Sequence, residues 1–145
     1  MARRASVLVL VHVVFSSEHR KTVHWPAGAR GASIETALDA SLRDLNCAVL
    51  SAGAASDHVH AVLRLAPHIV LADAVERLKR AAARVAGARV TWDDAFWAES
   101  LGVTDLEAVC ERVRSQRDHD DGHPVERWQL SDEWQVASGL PPWVH

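Results

Sequence analysis

Two histidines separated by one residue, His58 and His60, lie at the start of the segment DHVHAVLRL, residues 57–65. The segment is expected to be a β-strand, so both imidazoles point to one face, with Cβ atoms about 7 Å apart. Imidazoles at that spacing can bind one divalent metal ion if a third side chain joins them. Alternatively, they are ordinary polar residues on an open sheet face, which strand alternation also predicts. The other face of the segment is wholly apolar and is expected to pack against the core.

The segments around this strand predict a small α+β domain. Residues 6–15 are apolar and β-branched, which is typical of a buried strand, and residues 33–45 have the apolar spacing of an amphipathic helix with Ser33 as its N-cap. Further strands are predicted over residues 47–53, 57–65, 88–92 and 95–101, and further helices over residues 71–85 and 104–120. This order predicts a ferredoxin-like fold, an antiparallel sheet of four to five strands with helices packed on one face.

Composition and charge narrow the class of protein. A chain of 145 residues with 48% apolar content is expected to form one domain with its own core. Cys47 and Cys110 are far apart, which favours reduced thiols and a cytoplasmic protein. The first apolar run is too short to cross a membrane, and His12 within it argues against a secretory signal. Residues 117–145 carry six acidic and two basic side chains, whereas the rest is nearly neutral, so no strongly basic stripe is present.

Three stretches of the sequence resemble one family of DNA-cleaving proteins. They are HVVFSSEHRK at 12–21, DHVHAVLRLAPHIVLADAVERLK at 57–79 and ESLGVTDLEAVCERVRSQRDH at 99–119. Their order is similar to that in the HUH single-tyrosine transposases of small bacterial insertion sequences and their repeat-associated relatives. The resemblance extends over about 110 residues. The histidine pair is a weak signal alone, but its combination with the opening strand and the last helix is specific.

The resemblance implies a metal site and a DNA substrate. In the family, the two histidines and a glutamine on the last helix bind Mg²⁺ or Mn²⁺, and a tyrosine one turn before the glutamine attacks a phosphate of single-stranded DNA. The metal ion polarises that phosphate. Family members act as dimers that recognise hairpins at the ends of the DNA element. By position, His58 and His60 match the metal-binding pair and Gln116 matches the glutamine.

The catalytic tyrosine of the family has no counterpart here. Its position falls on Arg112, and the sequence contains no tyrosine. Arginine is always cationic and has no nucleophilic oxygen, so the chain cannot cleave DNA through a tyrosine of its own. Ser115 has a hydroxyl but would need an activating base. Arg112 lies four residues before Gln116 on one helix face, and it is either a clamp for a DNA phosphate or a solvated residue.

Four more basic residues are candidate DNA contacts. Arg20 and Lys21 match the basic pair after the first strand of the family, and Lys79 matches a lysine of the second helix. Arg77 lies on the same charged side of that helix, for which a solvated helix face is the alternative interpretation. Binding through such residues would weaken with salt.

The leading hypothesis is a transposase-like protein that binds hairpin or single-stranded DNA, acts as a homodimer, has no membrane segment and does not cut DNA. Residues 1–121 would form the transposase-like domain and residues 122–145 an acidic tail containing tryptophan. Mg²⁺ or Mn²⁺ is the expected cofactor. The alternatives are a metal-dependent endonuclease for single-stranded DNA with another nucleophile, and a protein-interaction module that does not bind DNA.

Overall fold

The computed structural model describes residues 7–87 and 89–115. These residues form four strands and three α-helices, which join into one antiparallel sheet with helices on both faces. The elements in chain order are β1 (Val9–Ser16), α1 (Ile34–Leu42), β2 (Ala48–Ala54), β3 (His58–Leu65), α2 (Leu71–Ala86), β4 (Trp97–Ser100) and α3 (Leu106–Ser115).

The sheet has the strand order β2-β3-β1-β4, with every neighbouring pair antiparallel. Two β-α-β units with this order make the ferredoxin-like arrangement, so the predicted α+β fold class is confirmed. The separate strand predicted over residues 88–92 is wrong for the described residues, because Trp92 makes only an isolated bridge to Ser17. Within the part of the chain that the structure covers, no helix has the length and apolar content needed to cross a bilayer.

The main core lies between the sheet and the pair α1 and α2. Helix α1 presents Ile34, Leu38 and Leu42 at spacings of four residues, and all three are fully buried. Their partners in the sheet include Phe15 of β1 and Leu63 of β3. Burying these apolar side chains supplies most of the driving force for folding and fixes which face of each strand points inward.

Helix α3 lies on the face of the sheet opposite α1 and α2. The prediction that all helices pack on one face is therefore wrong for α3. A second, smaller core forms there from Val62 of β3 and Val109, Cys110 and Val113 of α3. The Ser51 hydroxyl of β2 also donates a hydrogen bond to the Cys110 carbonyl oxygen at 2.9 Å. Because the histidines occupy this face of β3, α3 is packed on the same side of the sheet as the predicted metal ligands.

The helix ends differ in detail from the sequence expectation. Ser33 directly precedes α1, as predicted, but its side chain makes no capping hydrogen bond. Helix α2 ends at Ala86 and is followed by Gly87, which adopts the left-handed conformation with φ of 69° that favours glycine at this position. The predicted third helix begins two residues after Thr104, and its continuation past Ser115 lies outside the described residues.

Candidate metal and DNA site

The pairing of β1 with β3 brings three histidines together on the α3 side of the sheet. Its register places Ser16 opposite His58, Val14 opposite His60, and His12 opposite Val62. His12 is therefore the diagonal neighbour of His60 on the same face, within reach of a long side chain. All three imidazoles are buried, with at most 3% of each residue exposed. The predicted open sheet face is in fact covered.

Each histidine of the pair has one ring nitrogen held by a neighbouring side chain. The Nδ1 atom of His58 lies 2.7 Å from a carboxylate oxygen of Asp57, and the Nδ1 atom of His60 lies 3.0 Å from Nε2 of His12. The rings of His58 and His60 have centroids 4.8 Å apart. The Nε2 atom of His60 is buried and has no hydrogen-bond partner among the residues that the structure describes.

Burial keeps two of these imidazoles neutral. Desolvation, followed by the nearby charge of Arg112, lowers the pKa of His12 to about 4. Desolvation also lowers the pKa of His60 well below its usual value, with further lowering by His58, His12 and Arg112. A neutral imidazole has a lone pair on one nitrogen, which is the form that binds a metal ion.

Asp57 links the histidine pair to the basic segment that follows β1. Its second carboxylate oxygen accepts a hydrogen bond from Nη2 of Arg20 at 2.9 Å. Burial raises the pKa of Asp57, but the hydrogen bond to His58 and the charge of Arg20 outweigh it, and the pKa lies below its usual value. Asp57 is therefore an anion that can hold the Nδ1 proton of His58 and leave Nε2 of that ring as the metal-binding atom.

The residues present fit part of a metal site. His58 and His60 supply imidazole nitrogens, and the unpartnered buried Nε2 atom of His60 is the kind of atom that a metal ion would satisfy. Across residues 7–87 and 89–115, no group of three His, Cys, Asp or Glu side chains is arranged to hold a metal ion. Gln116, the predicted third ligand, directly follows the last described residue of α3 and lies outside the described part.

Helix α3 places Arg112 near the histidines and directs the Ser115 hydroxyl to the backbone of the same helix. Arg112 is exposed to solvent, and its charge is close enough to lower the pKa of both His12 and His60. The Ser115 hydroxyl donates a hydrogen bond to the Arg112 carbonyl oxygen at 2.7 Å, within the helix. This bond uses the serine proton locally, which argues against Ser115 as an activated nucleophile.

The two candidate DNA contacts after β1 differ in how they relate to the histidine pair. Arg20 reaches the site through Asp57, whereas Lys21 is exposed. Lys21 lines a cavity of about 210 Å³ together with His24 and Arg89. Arg20 is therefore linked to the histidine site, whereas the cavity beside Lys21 is lined by none of the three buried histidines.

The two candidate contacts on α2 lie on the other face of the sheet. Arg77 forms hydrogen bonds at 2.9 Å to both carboxylate oxygens of Asp44. Lys79 is 95% buried, and its Nζ atom donates a hydrogen bond to the Asp93 carbonyl oxygen at 2.8 Å. Such a lysine is a structural residue, and its burial argues against the predicted DNA contact.

Residues 5–116 match the family model described as transposase IS200 like. The chain therefore belongs to the IS200-like transposase family. Its fold is similar to that of a predicted transposase from Deinococcus radiodurans R1, with a TM-score of 0.57 and 16% identity over 80% of this chain and 96% of the other. It is also similar to that of a REP-associated tyrosine transposase bound to a REP hairpin, with a TM-score of 0.59 and 15% identity over 98% of this chain and 88% of the other. At such low identities, these two structures support the IS200-like fold alone. The sequence matches none of the curated proteins.

Two residues of the site, His12 and Asp57, were not predicted as functional from the sequence. Alternation along β1 places His12 on the face opposite Val11, Val13 and Phe15, so its direction could have been deduced. The contact between His12 and His60 could not have been deduced, because the sequence of either strand alone does not determine the register between β1 and β3. Asp57 directly precedes the histidine pair, and that adjacency was the available signal.

Proposed function

We propose that this IS200-like transposase relative binds hairpin or single-stranded DNA and does not cleave it through a tyrosine. The proposal is carried by Arg112, which by the resemblance to the family falls at the tyrosine position and whose charge lowers the pKa of His12 and His60. A guanidinium group binds a phosphate through two parallel hydrogen bonds but cannot attack it. The same position would therefore hold DNA without cutting it.

The proposed metal ion is Mg²⁺ or Mn²⁺, held by Nε2 of His58, Nε2 of His60 and the side chain of Gln116. When bound, such an ion polarises a phosphate oxygen of the DNA. Asp57 orients His58, and Arg20 keeps Asp57 charged. Lys21 and Arg112 would then contact neighbouring phosphates of the same DNA. This arrangement is supported by the adjacency of the two imidazoles and by the unpartnered nitrogen of His60.

Hairpin DNA is the first ligand to test, because one structure with a similar fold was determined with a REP hairpin. We expect fluorescence anisotropy to detect binding of a labelled hairpin and of a single strand at low salt. The affinity should fall as salt rises, because each phosphate contact releases condensed counterions. No binding of either DNA at low salt would contradict the proposal and would favour a protein-interaction module.

The matched variants are Lys21→Gln, Arg112→Gln and Arg80→Gln. Each removes one positive charge from an exposed position, but Arg80 lies on α2, on the far side of the sheet. The first two should each weaken DNA binding by roughly five- to tenfold and lower the salt slope by about one, whereas Arg80→Gln should do neither. Equal losses for all three would indicate non-specific attraction only.

Cleavage is tested with the same labelled strands in Mn²⁺. The native chain should give no product and no covalent protein–DNA adduct. Product formation by the native chain would contradict the proposal and favour an endonuclease with another nucleophile. Arg112→Tyr returns a phenol to the family position, and an adduct formed only by this variant would show that the missing oxygen is what prevents cleavage.

The proposal also includes assembly and location. We expect a homodimer in the cytoplasm, with residues 1–121 as the DNA-binding domain and residues 122–145 as an acidic tail. Light scattering coupled to gel filtration measures the mass directly. A mass of one chain, 15.9 kDa, at DNA-binding concentrations would contradict the dimer while leaving the DNA-binding proposal in place.

A further inference from the structure

The contact between His12 and His60 joins two buried imidazoles from adjacent strands. Their rings are stacked, with centroids 5.3 Å apart and an angle of 23° between planes. The 3.0 Å distance joins Nε2 of His12 to Nδ1 of His60, so exactly one of these two nitrogens carries the shared proton in a neutral pair. Which nitrogen carries it decides what the far side of His60 can bind.

We propose that His12 is a positioning residue for metal binding, which accepts the Nδ1 proton of His60 and so presents the lone pair of Nε2 to the ion. If His12 carried the shared proton instead, His60 would hold its own proton on Nε2 and could not bind a metal through that atom. The proposal rests on the metal site of the proposed function. It assigns His12 the role toward His60 that Asp57 has toward His58.

The surroundings of His12 suit a fixed acceptor. It lies on β1, one of the two central strands, and its ring makes an edge-to-face contact with Trp97 of β4 at a centroid distance of 5.1 Å. The imidazole is therefore held between β3 and β4, in a covered part of the sheet. A group held in this way orients a metal ligand without reorganising when the ion binds.

Packing alone does not explain an imidazole at position 12. The residue is 2% exposed, and an apolar side chain of similar size would fill the same space without desolvation of a polar ring. Phenylalanine keeps the ring shape and removes the acceptor. Glutamine keeps a polar acceptor at about the reach of Nε2. The two substitutions therefore separate packing from hydrogen bonding.

The test is a titration of the full chain with Co²⁺ alone, in the absence of DNA, followed by visible absorption and calorimetry. His12→Phe should weaken Co²⁺ binding by roughly 10- to 100-fold, and His12→Gln should recover part of that loss. His68→Phe is the matched control, because it makes the same chemical change at an exposed histidine outside the cluster. It should bind Co²⁺ as the native chain does.

Equal Co²⁺ affinity of the native chain and a folded His12→Phe variant would overturn the role of His12 and leave the metal site standing. Absence of Co²⁺ binding by the native chain would overturn the metal site itself, together with this proposal. A second measurement needs no substitution: the nitrogen NMR spectrum of the Zn²⁺-loaded native chain should show His60 protonated on Nδ1. Zinc bound through Nδ1 with the proton on Nε2 would overturn the proposal, even if His12→Phe does not fold.

Discussion

Lowering the pH should destabilise the metal-free chain through His12 at pH values above those at which Asp57 is titrated. A histidine whose pKa is lower in the folded chain than in the unfolded chain takes up its proton more readily after unfolding. The free energy of unfolding therefore falls as the pH decreases through the range from 6.5 to about 4, the two values for His12. Asp57 acts at lower pH, since its pKa lies below its usual value of 3.8.

The size of the effect follows from the two pKa values of His12. At about 1.4 kcal/mol for each tenfold change in proton affinity, the full difference is roughly 3 kcal/mol. Between pH 7 and pH 5 the same values give a loss of roughly 2 kcal/mol. His60 adds to the loss, because burial lowers its pKa as well. The typical stability of a small domain is about 5–15 kcal/mol, so this loss is measurable.

The assay is urea unfolding at pH 7, 6 and 5 with EDTA present, followed by circular dichroism. His12→Gln is the matched variant, because it keeps a hydrogen-bonding side chain but cannot take up a proton in this range. Its free energy of unfolding should depend on pH less steeply than that of the native chain, by roughly 2 kcal/mol between pH 7 and 5. The reasoning is refuted if the native chain is equally stable at both pH values, or if the variant has the native slope.

Three further predictions concern single side chains. Arg112→Gln should raise Co²⁺ affinity roughly three- to tenfold, because it removes a solvent-screened positive charge near the imidazoles; unchanged or weaker binding would contradict this. Lys79→Met should lower the free energy of unfolding by about 1–3 kcal/mol, because it removes the charged hydrogen bond that the buried Lys79 ammonium group donates to the Asp93 carbonyl oxygen. A urea midpoint equal to the native one would mean that this hydrogen bond makes no net contribution to stability. Val113→Ala should lower the free energy of unfolding by about 2 kcal/mol in the same assay, because the side chain loses its contact with Val62. A much smaller loss would show that α3 packs only weakly on the sheet.

Much of the fold could be predicted because short-range patterns determine it. The apolar spacing of Ile34, Leu38 and Leu42 identified a helix and its buried face, and strand alternation placed His58 and His60 on the face opposite the core. The position of α3 was harder to predict. Its apolar stripe is short, and Val62, its partner in the sheet, lies between polar neighbours on that face, which looked solvent-exposed in the sequence.

The site was predicted in part, for a related reason. His58 and His60 are neighbours in the sequence, so their adjacency in space follows from one strand. His12 is 48 residues from His60, and only the register of two paired strands brings their nitrogens within 3.0 Å. The burial of Lys79 was missed because its ammonium group is satisfied by backbone carbonyls, which no pattern of side chains reveals.

The two halves of this site differ in how easily mutation can change them. The imidazoles belong to paired strands at the centre of the sheet, where a replacement disturbs buried neighbours and is opposed by selection for folding. Position 112 is exposed on the surface of α3, so a codon change there alters chemistry with little effect on the stability of the domain. Under the proposed function, random substitution in a lineage that no longer needed to cut DNA would therefore remove a nucleophile at position 112 long before it removed the histidines.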